Sequence, residues 1–331
     1  MNILYIIGNG LDIAHHMKTS YQDFFKYYLA LPSDDYKIDS MKHDIKSHRY
    51  ETWADLEIGL GQYSSHCINK GEFLRCLLDI KSNLKTYLQK ESEKITGYSL
   101  KSTSSFLNLG SFLDPEPKSR YDYYVGRFAS NKRLDVNIMT FNYTSTLEWL
   151  FDFSGGAKAL APNTWLESIQ HVHGVLDNMM VMGVNDSDQI ANTSFNTDED
   201  VMEDFVKPEY NDACMNNKNK VCESLIRKAD LIVLYGTSLG KSDEKWWKLI
   251  GQRMSLENNY PLLVFLPYDE KKDQAAEPNH LRRWVMQSVR EIKEKFAIQL
   301  DDKVLASRIC VAFNKRLFNI SKDAQKTVMT R

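Results

Sequence analysis

Ile3-Leu4-Tyr5-Ile6-Ile7 is an unbroken apolar run that stops at Gly8-Asn9-Gly10-Leu11-Asp12. A strand without polar alternation needs both faces covered, and a sheet sandwiched between helices provides that. Five more runs of this kind follow at long intervals: Val136 to Phe141, Ile169 to His173, Asp230 to Tyr235, Pro261 to Leu266 and Ser307 to Ala312. Met179 to Val184 is expected to add a short antiparallel strand. Between the runs, spacings such as Phe73, Leu77, Ile80, Leu84 and Leu88 place apolar side chains on one helical face. Strands separated by helix-length segments predict an α/β protein, Rossmann-like, with a mostly parallel sheet flanked by helices.

The gap between the first two strands, residues 20–133, is too long for one crossover helix. It is read as a mainly helical insertion over residues 40–133 within a single α/β domain spanning 1–331. The insertion would contain helical segments from Trp53 to Tyr63 and from Phe73 to Ile95, with a loose polar stretch near Ser99 to Ser105. A second polar region, Asn185 to Asp200, reads as a loop.

Composition excludes several classes. The 42 basic and 44 acidic side chains nearly cancel, to a formal charge of −2, which argues against a dedicated nucleic-acid binder. The five cysteines include no CxxC pair, so neither a zinc ribbon nor a disulfide framework is expected, and reduced thiols in the cytoplasm are the simplest reading. No segment has the ~20 apolar residues of a membrane span, and the first apolar run lacks the features of a signal peptide.

Four strand ends carry chemistry. Gly8, Asn9 and Gly10 form a turn in which glycines admit positive φ and let amides approach a phosphate, with a helix starting near Asp12; a tight turn explains the same residues equally well. Asn142, after the strand ending at Phe141, would project into the same crevice, because ligands of open parallel sheets bind beyond the strands' carboxyl ends. His171 and His173 alternate along a strand and would share a face. His171 is read as structural and His173, beside Gly174, as an acid–base group; no acidic or Cys partner at ligand spacing suggests a metal. Gly236, Thr237 and Ser238 offer small donors for a phosphate or ribose. Asp243 is read as the N-cap of the helix carrying Trp246 and Trp247.

In this order the motifs resemble the AbiH family of abortive-infection proteins, itself similar to the sirtuin-like NAD-binding superfamily. The resemblance rests on IIGNGLDIAHHMKTSYQDF from Ile6 to Phe24, TWADLE from Thr52 to Glu57, FNYTSTLE from Phe141 to Glu148, HVHG from His171 to Gly174 and YGTSLGKSDEKWW from Tyr235 to Trp247. Sirtuins are similar in the glycine turn (Gly8, Gly10), the catalytic-loop Asn (Asn142), a base His before Gly (His173) and a GTS segment (Gly236-Thr237-Ser238). Their Asp two residues after the Asn is replaced by Thr144, and their four-cysteine zinc module is missing.

The resemblance implies an anti-phage effector that consumes NAD as a glycohydrolase, without a metal. His173 would accept a proton, Asn142 would orient water or ribose, and Asp12 would bind a ribose hydroxyl or steady positive charge. Gly8, Asn9, Gly10, Gly236, Thr237 and Ser238 would hold the phosphates and riboses. Glu57 and Trp53, from the insertion, would close over the site or, the reading preferred, pack between helices. The alternative is a sensor that binds NAD or ADP-ribose and switches a partner without catalysis. A nuclease would need clustered carboxylates for metal ions, and Asp198-Glu199-Asp200 is read as a solvated loop instead. A phage-derived trigger, a regulatory protein or a homo-oligomer are the partners such an activity implies.

Overall fold

The computed structural model describes residues 1–48, 51–128, 133–214, 217–268 and 278–322. Its sheet has the strand order β4-β5-β3-β1-β6-β7-β8. The strands are β1 (Asn2–Ile7), β3 (Leu134–Thr140), β4 (Lys158–Ala161), β5 (Thr164–His171), β6 (Leu231–Tyr235), β7 (Leu262–Leu266) and β8 (Ile309–Val311). All neighbours run parallel except β4, which is antiparallel to β5. Without the β4 edge strand, this is the doubly wound Rossmann order, with its switch point between β1 and β6. Short β2 (Tyr98–Leu100) pairs antiparallel with β9 (Ile320–Lys322) outside the main sheet. The stretch expected to be loose near Ser99 is therefore partly strand.

The helices are α1 (Gly10–Ala14), α2 (Tyr21–Tyr28), α3 (Tyr36–His48), α4 (Leu56–Tyr63), α5 (Lys70–Ser92), α6 (Ser104–Leu107), α7 (Pro115–Gly126), α8 (Thr146–Phe151), α9 (Glu199–Phe205), α10 (Lys207–Ala213), α11 (Lys218–Lys228), α12 (Glu244–Met254), α13 (Pro278–Lys295) and α14 (Asp302–Ser307). Every residue of β6 and β7 is buried, as continuous apolar runs require. Alternation then splits the core. Ile232 and Leu234 face a cluster with Trp247, Ile250 and Phe296, whereas Leu231, Val233 and Tyr235 face one with Phe106, Phe151 and Phe318.

A third cluster lies off the sheet. Phe24, Phe25, Trp53, Phe73 and Ile80 pack with Met180, Val184, Phe195 and Phe205. Thus the helical layer combines α2 to α5 with the later segment around α9. Phe106 and Tyr121, inside the stretch 40–133, pack against the sheet instead. The N-caps of α2, α4, α5 and α9 are Ser20, Asp55, Asn69 and Asp198, each accepting a backbone N–H of its first turn. Such caps stabilise by about 1 kcal/mol each.

The strand expected at Met179 to Val184 does not form. Only isolated bridges occur there, Val175 to Asn178 and Val184 to Val206. Met179 adopts a left-handed conformation at φ 52°, which interrupts an extended run, and the Val184 N–H bonds the Phe205 carbonyl rather than the sheet. The polar region expected as a loop from 185 to 200 carries two short 3-10 turns, Ser187–Gln189 and Thr193–Phe195, before α9.

Candidate functional site

The turns after β1 and β6 meet first. Gly8 N–H donates to the Tyr235 carbonyl at 3.0 Å and Gly10 N–H to the Gly236 carbonyl at 2.8 Å. A Cβ on Gly10 would stand 2.4 Å from the Gly236 Cα, and Gly236 itself has φ +63°. These glycines are thus required by backbone-to-backbone contact across the switch point, and two of their amides are already spent there. Asn9 spends its side chain too: Nδ2 donates to the Thr19 carbonyl, and Oδ1 accepts from the Thr19 hydroxyl. Asn9 thereby pins the loop leading to α2. Ser238 is exposed, and its carbonyl accepts from Lys295.

Asp12, on α1, is buried and accepts from the hydroxyls of Thr144 at 2.7 Å and Thr146 at 2.8 Å. Burial drives its carboxyl up to about 6, although the two threonines and His171 pull the other way. A carboxylate in this setting changes protonation close to neutral pH.

After β3, the Asn142 N–H donates to the Thr140 hydroxyl, which itself donates to the Ile7 carbonyl. The side-chain Nδ2 of Asn142 is buried without a hydrogen-bond partner, as is the Thr237 hydroxyl after β6. Ile7 pairs with Thr140 on one side and Tyr235 on the other. The two orphaned groups therefore lie two residues beyond the strand ends that flank β1. Each costs about 1–3 kcal/mol left unpaired, which marks the place where a polar ligand would be welcome.

The histidines separate rather than share a face. The β5 ladder ends at His171, paired with Thr140; His173 lies in the following turn, which Gly174 closes at φ +73°. His171 Nδ1 bonds the Asn142 carbonyl at 2.7 Å and Nε2 the Glu148 carboxylate of α8 at 2.8 Å. Both its ring nitrogens are engaged. His173 Nε2 instead meets Asp243 Oδ1 at 2.8 Å, with the ring between Phe141 and Tyr143. Strand alternation stopped applying because the strand stopped.

Asp243 does not cap α12 with its side chain. The carboxylate turns to His173 and to Lys207 Nζ, 3.3 Å away. Burial alone would raise its proton affinity, but Lys207 and His173 reverse that and hold it well below the usual carboxylate range. Lys207, the first residue of α10, also donates to the Ser242 carbonyl at 3.0 Å and stands 3.8 Å from Glu57. Burial opposes its charge, yet Asp243, Glu57 and Asp55 together push its proton affinity up. Glu57 accepts from the Tyr21 hydroxyl at 3.1 Å. Its carboxyl is raised to about 8 by burial, against the pull of Lys207 and with Asp55 and Asp243 adding to the rise. Asp55, besides capping α4, accepts from the Ser242 N–H at 3.3 Å.

His173 is lowered in proton affinity by burial and then by Lys207, with Asp243 opposing. A neutral imidazole beside an ionised carboxylate places its proton on Nε2, toward Asp243, and leaves Nδ1 as the basic atom. The roof over this crevice is built by Tyr21, Glu57 and Lys207 from α2, α4 and α10.

Sequence reading brought Asp12, Asn142, His173 and Thr237 to this place, but missed Lys207 and Tyr21 and gave Asp243 and Glu57 lesser duties. Trp53 stays in the helical core, its Nε1 donating to Asp44. Among the described residues, no group of three or more His, Cys, Asp or Glu is arranged to hold a metal ion. Nor is any helix among them long and apolar enough to cross a membrane.

The model of one protein family, described as bacteriophage abortive infection AbiH, matches residues 4–265. The chain belongs to the AbiH family. That match covers the Gly8 turn, Asn142, His173, Lys207 and Asp243, so the whole AbiH crevice lies within it. No curated protein matches the chain.

Proposed function

We propose that this AbiH protein is a cytoplasmic anti-phage effector that hydrolyses the nicotinamide–ribose bond of NAD. The observation that carries the reading is the pair of buried, unpartnered polar groups, Asn142 Nδ2 and Thr237 Oγ1, at the switch point beside β1. In a Rossmann-ordered sheet that is where nucleotides bind. The chemistry then follows from neighbours. His173, oriented by Asp243, takes the proton of an attacking water as the water oxygen bonds the ribose carbon. The carbon–nitrogen bond breaks and its electron pair leaves with nicotinamide, giving ADP-ribose. The intermediate charge is oxocarbenium-like, and a buried carboxylate opposes its cost.

Asp12 supplies that carboxylate. Sirtuins place an Asp two residues after their Asn; here Thr144 occupies that position and its hydroxyl binds Asp12, so α1 brings a carboxyl to the place where the loop lacks one. Asn142 orients water or ribose, and Thr237 takes a ribose or phosphate oxygen. With the Gly8 and Gly10 amides bonded to the Tyr235 and Gly236 carbonyls, phosphate contacts fall to side chains and to the remaining amides of the turn after β6.

The second reading is a sensor that binds NAD or ADP-ribose without cleaving it, and the engagement of both Asp12 carboxylate oxygens by the Thr144 and Thr146 hydroxyls favours it. Nicotinamide release by the wild type separates the two, and His173→Ala and Asn142→Ala each abolish it if the crevice is the hydrolase site. If release persists in both variants, the crevice is not the active site.

A further inference from the structure

A second cavity opens on the other side of the sheet from His173. It has a volume of about 570 Å³ and is lined by the end of α1, the 3-10 turn before β2, and the segment entering β9. Tyr235 and Phe318, in its wall, belong to the cluster with Phe106 and Phe151, whereas Phe141, which contacts the His173 ring, packs on Trp247 of the opposite cluster. The two sites are therefore separate.

The lining holds two cationic side chains from separate parts of the chain, Lys94 and Arg316, and the His15 and His16 imidazoles, with no Asp or Glu among the lining residues. Lys94 is bridged to Glu91 at 2.6 Å, so it is partly compensated. Arg316 is not: it is exposed and makes no hydrogen bond or ion pair among the described residues. Burial lowers the proton affinity of His15 and raises that of Tyr235; the Arg316 charge adds to the first effect and opposes the second. His16 holds φ 64°, a conformation that costs a non-glycine residue on the order of 1 kcal/mol. Three aromatic side chains line it: Tyr98 is half-buried, and Tyr235 and Phe318 are buried in the wall.

We infer that this cavity binds a phosphorylated nucleotide, with Arg316 on the phosphates and the Tyr98 ring against the base. The volume lies in the range of small-molecule sites, guanidinium is the side chain best shaped for phosphate, and bases stack on aromatic rings. The site is independent of the proposed hydrolysis. It adjoins α1, the helix that carries Asp12, so an occupant would touch the element that brings that carboxyl to the crevice.

Photolabelling of the full chain with 8-azido-ADP, followed by peptide mapping, tests this without reading activity. The label is expected on peptides containing Tyr98 or Phe318, displaced by excess ADP. Arg316→Glu should reduce it about tenfold, the loss of one charge-assisted phosphate contact, while Arg316→Lys retains most of it. Arg316 is exposed, so both variants should keep the wild-type melting temperature. Labelling confined to residues 141–144 and 236–240, or unchanged in Arg316→Glu, would overturn the proposal. Competition by pyrophosphate as strong as by ADP would overturn its nucleotide part and leave a plain phosphate site.

Discussion

Asp243 and His173 are 70 positions apart in the chain and 2.8 Å apart in the fold. That pairing joins the turn after β5 to the start of α12, and Lys207 ties it to the helical roof. It gives the crevice a base with a defined tautomer. Without Asp243, His173 would lose its orienting partner and Lys207 its nearest anion.

Asp243→Asn keeps the shape but removes the charge. Nicotinamide release should fall by about 10²- to 10⁴-fold, the range in which oriented acid–base groups act. A buried lysine left unbalanced costs about 3–5 kcal/mol, so the variant should also melt earlier. Steady-state kinetics and a thermal melt on the same preparation check both effects. Wild-type rates in a destabilised protein would assign Asp243 to structure alone.

Glu57 makes stability depend on pH. Its carboxyl rises from 4.5 to about 8 on folding, so the folded state keeps a proton that the unfolded chain gives up. Stability conferred by the protonated group is present at low pH and is lost as pH rises toward 8. Asp12 acts in the same direction but over a lower window, from 3.8 to about 6. His173 works oppositely, losing stability as pH falls below its ordinary 6.5. From pH 6.5 to 8 the Glu57 effect should stand alone among these three. Urea unfolding across that window should show declining stability in the wild type and a flatter profile in Glu57→Gln. Equal slopes would contradict the assignment.

Gly236→Ala should destabilise by about 1–3 kcal/mol, because a left-handed conformation and a backbone contact both oppose a Cβ. The clash lies 2.7 Å away, at the Gly10 Cα. Urea midpoints measure the effect. A neutral result would mean that the two turns can part at little cost, which the Gly10 to Gly236 hydrogen bond speaks against.

How much of this was legible in the sequence follows from what each residue depends on. The strands at Ile3 to Ile7 and Leu231 to Tyr235 announce themselves, since burial on both faces leaves no room for a polar residue. Asn142 and Thr237 stand out as candidates because polar and glycine residues directly after such strands are a local pattern. Lys207 does not: Val206-Lys207-Pro208 reads as an ordinary helix start, and only the fold brings α10 against Ser242. Asp243 was assigned to its nearest helix because caps are local, whereas its real partners come from two distant segments. The apolar pattern runs unbroken through both histidines and so predicts one face for them, because nothing in the pattern reveals the positive φ of Gly174. Strand β4 was missed altogether, being short and partly exposed at the sheet edge.

Thr237→Val tests the orphaned hydroxyl. The swap is nearly isosteric and removes a buried oxygen that has no partner, so stability should stay within about 0.5 kcal/mol or rise. Nucleotide affinity should fall by about fivefold to tenfold, the worth of one neutral hydrogen bond. Calorimetric titration with ADP-ribose reads the second effect. Unchanged affinity would remove Thr237 from the binding surface.

The most direct measurement is chromatography of NAD incubated with the purified protein, with and without phage lysate, following nicotinamide and ADP-ribose. The account predicts nicotinamide release by the wild type in at least one condition and none by His173→Ala. Saturable NAD or ADP-ribose binding with no release in either condition would contradict it and leave the sensor.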